Sequence, residues 1–376
     1  MTAGRRHATT TDTTSGADMP NPADHAPDLT GLRVALVHAH PDDEAITTGG
    51  TIAQLVRRGA QVTVVTCTLG ELGEVIGEPY QGLVGGESDQ LGGFRVHELH
   101  AALTALGCNG PGHAPVHLGG AGRWRDSGMV GDPGNDDERA FIRSGDEALD
   151  QLTAVLRDLR PHAVITYDAD GGYGHPDHIR AHELTVAACD RLRAEARAGG
   201  DAGDGSGSDT ELWATIWTVT DDDALRAGLD AITVVPQPWT RAGFDDLPSV
   251  ASDFAVRLSD ADVAAKTASL RAHATQVWVG DGGVSMVNPR AAVGAVDASG
   301  AARGTWALSN LVCQPIMPAE HYRLGTAGAD LAAVLAGEKE WVVAPATSTA
   351  AGTAASGSTA AAPSTAAPAA SAETPR

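Results

Sequence analysis

The sequence predicts an α/β fold, a mostly parallel sheet with helices on both faces. Three features carry this. Short apolar, β-branched runs alternate with longer segments of helical periodicity. The first such run is apolar at successive positions, as a strand buried on both faces is. The most polar, chemically capable clusters follow directly after two of these runs.

Each element has its own signal. Leu32 to His38 (LRVALVH) is a short strand that ends in polar residues. Thr48 to Arg58 reads as a helix closed by Gly59, and Gln61 to Thr68 (QVTVVTCT) as a second strand. Phe94 to Leu106 is helical, with apolar positions at Val96, Leu99 and Leu103. Glu147 to Leu159 is another helix, leading into the strand Ala163 to Tyr167 (AVITY). His178 to Ala196 is helical again and Leu212 to Val219 is strand-like. Repeated strand–helix units give a Rossmann-like sheet, whose ligands bind beyond the carboxyl ends of the strands.

This organisation places one domain at 31–343, with a flexible insertion at 198–209 (AGGDAGDGSGSD from Ala198). Residues 1–30 read as a disordered leader rich in Thr, Asp, Pro and Ala. Residues 344–376 read as a disordered tail of Ala, Thr, Ser, Gly and Pro, a composition that cannot bury apolar surface.

Composition narrows the function. Of 376 residues, 42% are hydrophobic but only 4% aromatic, so Val, Leu, Ile and Ala must build the core. A formal charge of -22 repels phosphate backbones and anionic lipid heads, which argues against nucleic acid and membrane surfaces as partners. No apolar run reaches the roughly 18 residues of a membrane span. Arg5-Arg6 is followed by polar residues rather than by the apolar stretch of a twin-arginine signal, so the expected compartment is the cytoplasm. Cys67, Cys108, Cys189 and Cys313 are far apart and form no CxxC pair, against both a disulfide framework and a thiolate zinc site. Gly49-Gly50 and Gly92-Gly93 do not form a GxGxxG, so a dinucleotide site lacks support.

The two polar clusters carry the chemistry. One is His38-Ala39-His40-Pro41-Asp42-Asp43-Glu44, after the first strand; the other is Tyr173-Gly174-His175-Pro176-Asp177-His178, after AVITY. If both strands are parallel, the clusters share one sheet edge and concentrate imidazoles and carboxylates, as a divalent cation requires. Pro41 suits a first helical turn, so His40 stands near the N-cap and Asp43 turns back toward the same point, while Asp42 stays free. A catalytic zinc site has three protein ligands and an open position. His40, Asp43 and one histidine of the second cluster meet that count, and spacing alone leaves His175 and His178 as alternatives. A lone HPDD serves equally well as a helix cap with an acidic first turn; two such clusters at strand ends favour a metal.

These motifs resemble the PIG-L/LmbE family of metal-dependent de-N-acetylases, whose hallmarks match Ala39 to Glu44 (AHPDDE) and His175 to His178 (HPDH). Longer stretches are similar to its actinobacterial branch acting on N-acetylglucosaminyl-inositol in mycothiol biosynthesis: TCTLGELGEVIG (Thr66 to Gly77), DQLGGFR (Asp89 to Arg95), GGAGRWRDSGM (Gly119 to Met129) and YDADGGYGHPDH (Tyr167 to His178). Weaker echoes are HATQV (His273 to Val277) and EHYRL (Glu320 to Leu324).

The resemblance implies one divalent metal ion, zinc first and ferrous iron or cobalt as alternatives, held by His40, Asp43 and His178. It implies Asp42 as general base. His175 polarises the carbonyl or protonates the leaving amine, with Asp177 orienting its ring, and Tyr173 stands near the oxyanion. Arg95, Asp126 and, less directly, Glu74 contact the substrate. The implied substrate is a small amino-sugar glycoside; the alternatives are a related amidase acting on mycothiol S-conjugates and a deacetylase of another N-acetyl amino sugar.

Overall fold

The computed structural model describes residues 27–110, 113, 115–199, 212, 214–326 and 329–340. Most of the leader, nearly all of the 198–209 insertion and the tail therefore lie outside the described residues. The fold begins slightly earlier than residue 31, because Leu29 is fully buried and its N–H donates to Arg58 O.

Five parallel strands form the sheet's core: β1 (Arg33–His38), β2 (Gln61–Thr66), β3 (Val116–His117), β4 (Ala163–Tyr167) and β5 (Ala214–Val219), in spatial order β3-β2-β1-β4-β5. Beyond β5 the sheet continues with Ala319–Leu324, antiparallel to β5, and then Phe254–Arg257, antiparallel to that strand and so parallel to the core. Those two strands, and a separate four-stranded sheet containing Gly304–Ala307 and Val312–Ile316, have no counterpart in the sequence reading.

Consecutive apolar residues in β1 separate onto opposite faces, because side chains alternate along a strand. Val34 and Leu36 join a core with Ile52, Leu55, Leu99, Leu103 and Leu270. Ala35 and Val37 join another with Leu152, Leu156, Ala181 and Leu184. Helices α1 (Asp43–Arg57) and α2 (Leu91–Ala105) and the helix Asp260–Ala272 cover the first face. Helices α3 (Gly145–Leu159) and, after the helical turn α4 (Gly171–Gly174), α5 (Pro176–Gly199) cover the second.

The order places β1 beside β4, where the chain's progression across the sheet reverses. A crevice opens at such a point beyond the carboxyl ends of the strands. Both polar clusters emerge there.

Candidate metal centre

His40 and Asp43 follow β1 directly, and His178 lies in the first turn of α5. They are 6%, 7% and 3% exposed. Their side chains form a triangle: His40 Nδ1 to Asp43 Oδ2 is 3.4 Å, His178 Nε2 to the other carboxylate oxygen, Asp43 Oδ1, is 3.3 Å, and His178 Nε2 to His40 Nδ1 is 3.3 Å. Tetrahedral ligands at the usual zinc bond lengths lie about 3.3 Å apart. The three side chains could therefore hold a divalent cation between them, with one of the two Asp43 oxygens as the donor.

Surrounding groups fix each donor's direction. His178 Nδ1 lies 3.1 Å from Gly171 O, so it carries the proton and leaves Nε2 as the free donor. Gly171 has φ 66°, and a Cβ there would lie 2.8 Å from that of His178; glycine alone permits the approach. Asp43 Oδ2 accepts from His40 N–H (2.9 Å) and from the Tyr167 hydroxyl (2.7 Å), which itself accepts from Ala39 N–H (2.8 Å). The Tyr167 ring stacks on His178 with centroids 4.0 Å apart. On the far side of His40, Nε2 faces Asp177 Oδ2 at 3.3 Å and Asp126 Oδ1 at 3.6 Å.

The set His40, Asp126 and Asp177 also brings three donor atoms within 4.8 Å, as does His40, His175 and His178. Backbone N–H groups of Leu72 and Gly128 already occupy the Asp126 carboxylate, and that of Ser127 occupies Asp177 Oδ2. These two acids therefore act as carboxylate partners that orient His40 and hold its Nε2 proton.

Charges follow the contacts. Burial would raise Asp43, but His178 and His40 outweigh it and hold its carboxyl well below the usual range. Burial opposes protonation of His40, yet Asp126, Asp177 and Asp43 raise it well above an ordinary histidine. Asp126, raised by burial, is lowered overall by His40.

Asp42 is the N-cap residue of α1, but its side chain makes no capping bond. The carboxylate instead meets Arg95 Nη2 at 3.0 Å. Burial, relieved by Arg95 and reinforced by Asp43, lifts it to about 6. Its backbone has φ 129° and ψ -30°, a conformation that costs a non-glycine residue about 1–3 kcal/mol.

Arg95, Asp126, Asp177 and His175 are all buried. Arg95 is 2% exposed. Its guanidinium is committed to Asp42, Gly70 O (2.8 Å) and Pro41 O, because α2 aims it under the β1 loop. A Cβ on Gly70 would fall on that guanidinium. Asp126 is 4% exposed, and its Oδ1 lies 3.6 Å from His40 Nε2. Asp177 is fully buried, and its carboxylate orients His40 rather than His175, since the start of α5 turns it inward. Burial, then His40 and His178, push His175 down to about 3, and its Nδ1 accepts from Asp177 N–H at 3.2 Å, so the neutral ring carries its proton on Nε2.

Tyr173 is 55% exposed, its ring 5.0 Å from that of His178 and 5.9 Å from that of His175. Glu74 is exposed and lines a shallow groove with Gln81, Asp132 and Ser309. Sequence reasoning missed Tyr167, the outward end of AVITY, and the pair formed by Glu44 and His273, whose signals were the last residue of AHPDDE and the first of HATQV. His38 is fully buried against Thr48 (3.2 Å) and the edge of Tyr167, as a supporting core histidine. Burial pushes the Cys67 thiol up, which leaves it inert.

The family described as PIG-L, GlcNAc-PI de-N-acetylase, matches residues 35–189. A Corynebacterium efficiens protein named 1D-myo-inositol 2-acetamido-2-deoxy-alpha-D-glucopyranoside deacetylase is 56% identical over 299 residues, 79% of this chain and 89% of its own. The chain belongs to the PIG-L family. A PIG-L relative of the same name from Rhodococcus erythropolis is 47% identical over 304 residues, 79% of this chain and 92% of its own. Among solved structures, N,N'-diacetylchitobiose deacetylase from Pyrococcus horikoshii matches with a TM-score of 0.41 at 20% identity, covering 68% of this chain and 74% of that one. No helix among the described residues is long and apolar enough to cross a membrane.

Proposed function

We propose that this PIG-L chain is a metal-dependent hydrolase that removes the acetyl group from N-acetylglucosaminyl-inositol, giving glucosaminyl-inositol and acetate in mycothiol biosynthesis. The name shared by relatives at 47% to 56% identity supports the substrate. The reading rests on one observation, the 3.3–3.4 Å triangle of His40 Nδ1, Asp43 and His178 Nε2 beside an Asp42 carboxyl at about 6.

His40, Asp43 and His178 would hold the ion, and two imidazoles with one carboxylate favour zinc while also accepting ferrous iron or cobalt. When bound, the ion supplies Lewis acidity, polarising the acetamide carbonyl and acidifying water. Asp42 removes a proton from the water that attacks the carbonyl carbon; a base near 6 is matched to neutral pH. The developing oxyanion accepts from His175 Nε2–H and the Tyr173 hydroxyl. Protonated Asp42 then returns its proton to the departing nitrogen, which leaves as the free amine. Glu74, on the groove, is the candidate for sugar hydroxyls. The four cysteines are free and buried, which suits a reducing cytoplasm.

The test is acetate release from N-acetylglucosaminyl-inositol by protein reconstituted with zinc, ferrous iron or cobalt, beside amide cleavage of a bimane conjugate of mycothiol. Acetate release with at least one metal, and slower conjugate cleavage, is expected. No acetate with any metal overturns the proposal; faster conjugate cleavage replaces it with the amidase.

A further inference from the structure

The strained backbone of Asp42 has a specific support. Asp42 N–H donates to Glu44 Oε2 at 3.0 Å, and Glu44 Oε1 meets His273 Nε2 at 2.6 Å. Both side chains are fully buried. His273 closes the helix Asp260–Ala272, which packs along α1, so this support comes from a segment far from either motif cluster. The carboxylate of Asp42 is gripped separately by Arg95. A φ of 129° persists in a non-glycine residue only where its surroundings over-determine it. Here the two grips act on opposite ends of the residue, one on the peptide and one on the side chain.

We propose that Glu44, backed by His273, is a positioning residue: it pins the Asp42 peptide in its strained conformation and so aims the carboxylate at the attacking water. The inference rests on Asp42 being the base. Glu44 touches no reacting atom and is none of the three triangle donors. Without an acceptor for its N–H, the Asp42 peptide relaxes toward an ordinary conformation and the carboxylate swings out of line. The donors of the triangle keep their own supports, Tyr167, Gly171 O and the two carboxylates on His40. Catalysis therefore suffers while metal binding and substrate affinity stand.

The experiment uses the zinc-saturated full chain and measures kcat and KM for acetate release from N-acetylglucosaminyl-inositol, zinc per chain and melting temperature. Glu44→Ala is expected to lower kcat about 10²-fold, as misplacement of a reacting group by about 1 Å does, with KM and zinc content unchanged within about twofold. Glu44→Gln keeps an acceptor for the Asp42 N–H and is expected to recover most of that loss. In an Asp42→Asn background, Glu44→Ala is expected to add no further loss, because it acts only through that carboxylate. Equal losses in both backgrounds, or a normal kcat per zinc-loaded Glu44→Ala molecule, overturn the proposal. If Glu44→Ala does not fold, His273→Asn is read in its place, and an unchanged kcat there overturns it too. The base assignment is tested separately: a normal kcat in Asp42→Asn alone removes it, whereas a collapsed Asp42→Asn beside a normal Glu44→Ala removes only the positioning role.

Discussion

Removing the Tyr167 hydroxyl is the sharpest probe of how the triangle is held. Tyr167 is 2% exposed, and its OH makes two bonds: it donates to Asp43 Oδ2 at 2.7 Å and accepts from Ala39 N–H at 2.8 Å. Tyr167→Phe deletes both and keeps the ring stacked on His178. The bond to the carboxylate is charge-assisted and worth about 1.5–3 kcal/mol. Loss of an outer partner of a metal ligand typically weakens metal binding about 10- to 100-fold, equivalent to about 1.4–2.8 kcal/mol. The two estimates agree, which is expected if the hydroxyl acts mainly by aiming Asp43. The orphaned Ala39 N–H costs a further 1–3 kcal/mol or so of apo stability. Competition with a chromogenic zinc chelator gives the affinity, and urea unfolding of the apo protein gives the stability. An unchanged zinc affinity beside a lower apo stability would show that Tyr167 only supports the fold and does not aim Asp43 at the metal.

Other outcomes follow from the same contacts. His178→Ala should abolish stoichiometric zinc binding, read by elemental analysis, while the purified chain stays folded by circular dichroism. Neutral His162 accepts from Arg33 N–H at 3.0 Å; burial first and Arg33 next push it down to about 4, below its ordinary 6.5. The unfolded chain therefore takes up this proton at higher pH than the folded one. Stability from this group is complete above about 6.5 and is lost as pH falls toward 4; His162→Asn should flatten that part of the melting-temperature profile. Lys266 Nζ lies 2.5 Å from Glu320 Oε1, with both residues nearly buried. Lys266→Met leaves that buried carboxylate its backbone N–H donors but no cation, and should cost up to about 3–5 kcal/mol in urea unfolding.

How far the sequence could be read depended on how local each signal was. β4 matches its expected limits, and β1, β2, α3 and β5 differ by at most two residues at either end, because apolar runs bounded by polar residues are local patterns. Helix α1 starts at Asp43 rather than Thr48, since Asp43 and Glu44 form an acidic first turn that carries no apolar periodicity. The antiparallel strand Ala319–Leu324 was invisible, because its pairing partner β5 lies a hundred residues away. The same distinction divides the site. The two histidine–aspartate clusters announced themselves by composition. Which way Asp177 and Arg95 point did not, since that is decided by the 124–128 loop and the β1 loop packed against them. Sequence similarity names such residues without giving their contacts.

The carboxylate of Glu320 accepts from Gly50 N–H and Thr51 N–H in α1, and from Lys266 Nζ. Every residue of the triangle has left the ribosome long before Glu320 is synthesised. The helix that begins with Asp43 thus waits for a clamp supplied by the last sheet strand. During translation the early half of the polypeptide already holds all three donors, whereas the clamp on the middle of that helix arrives only with the final strand.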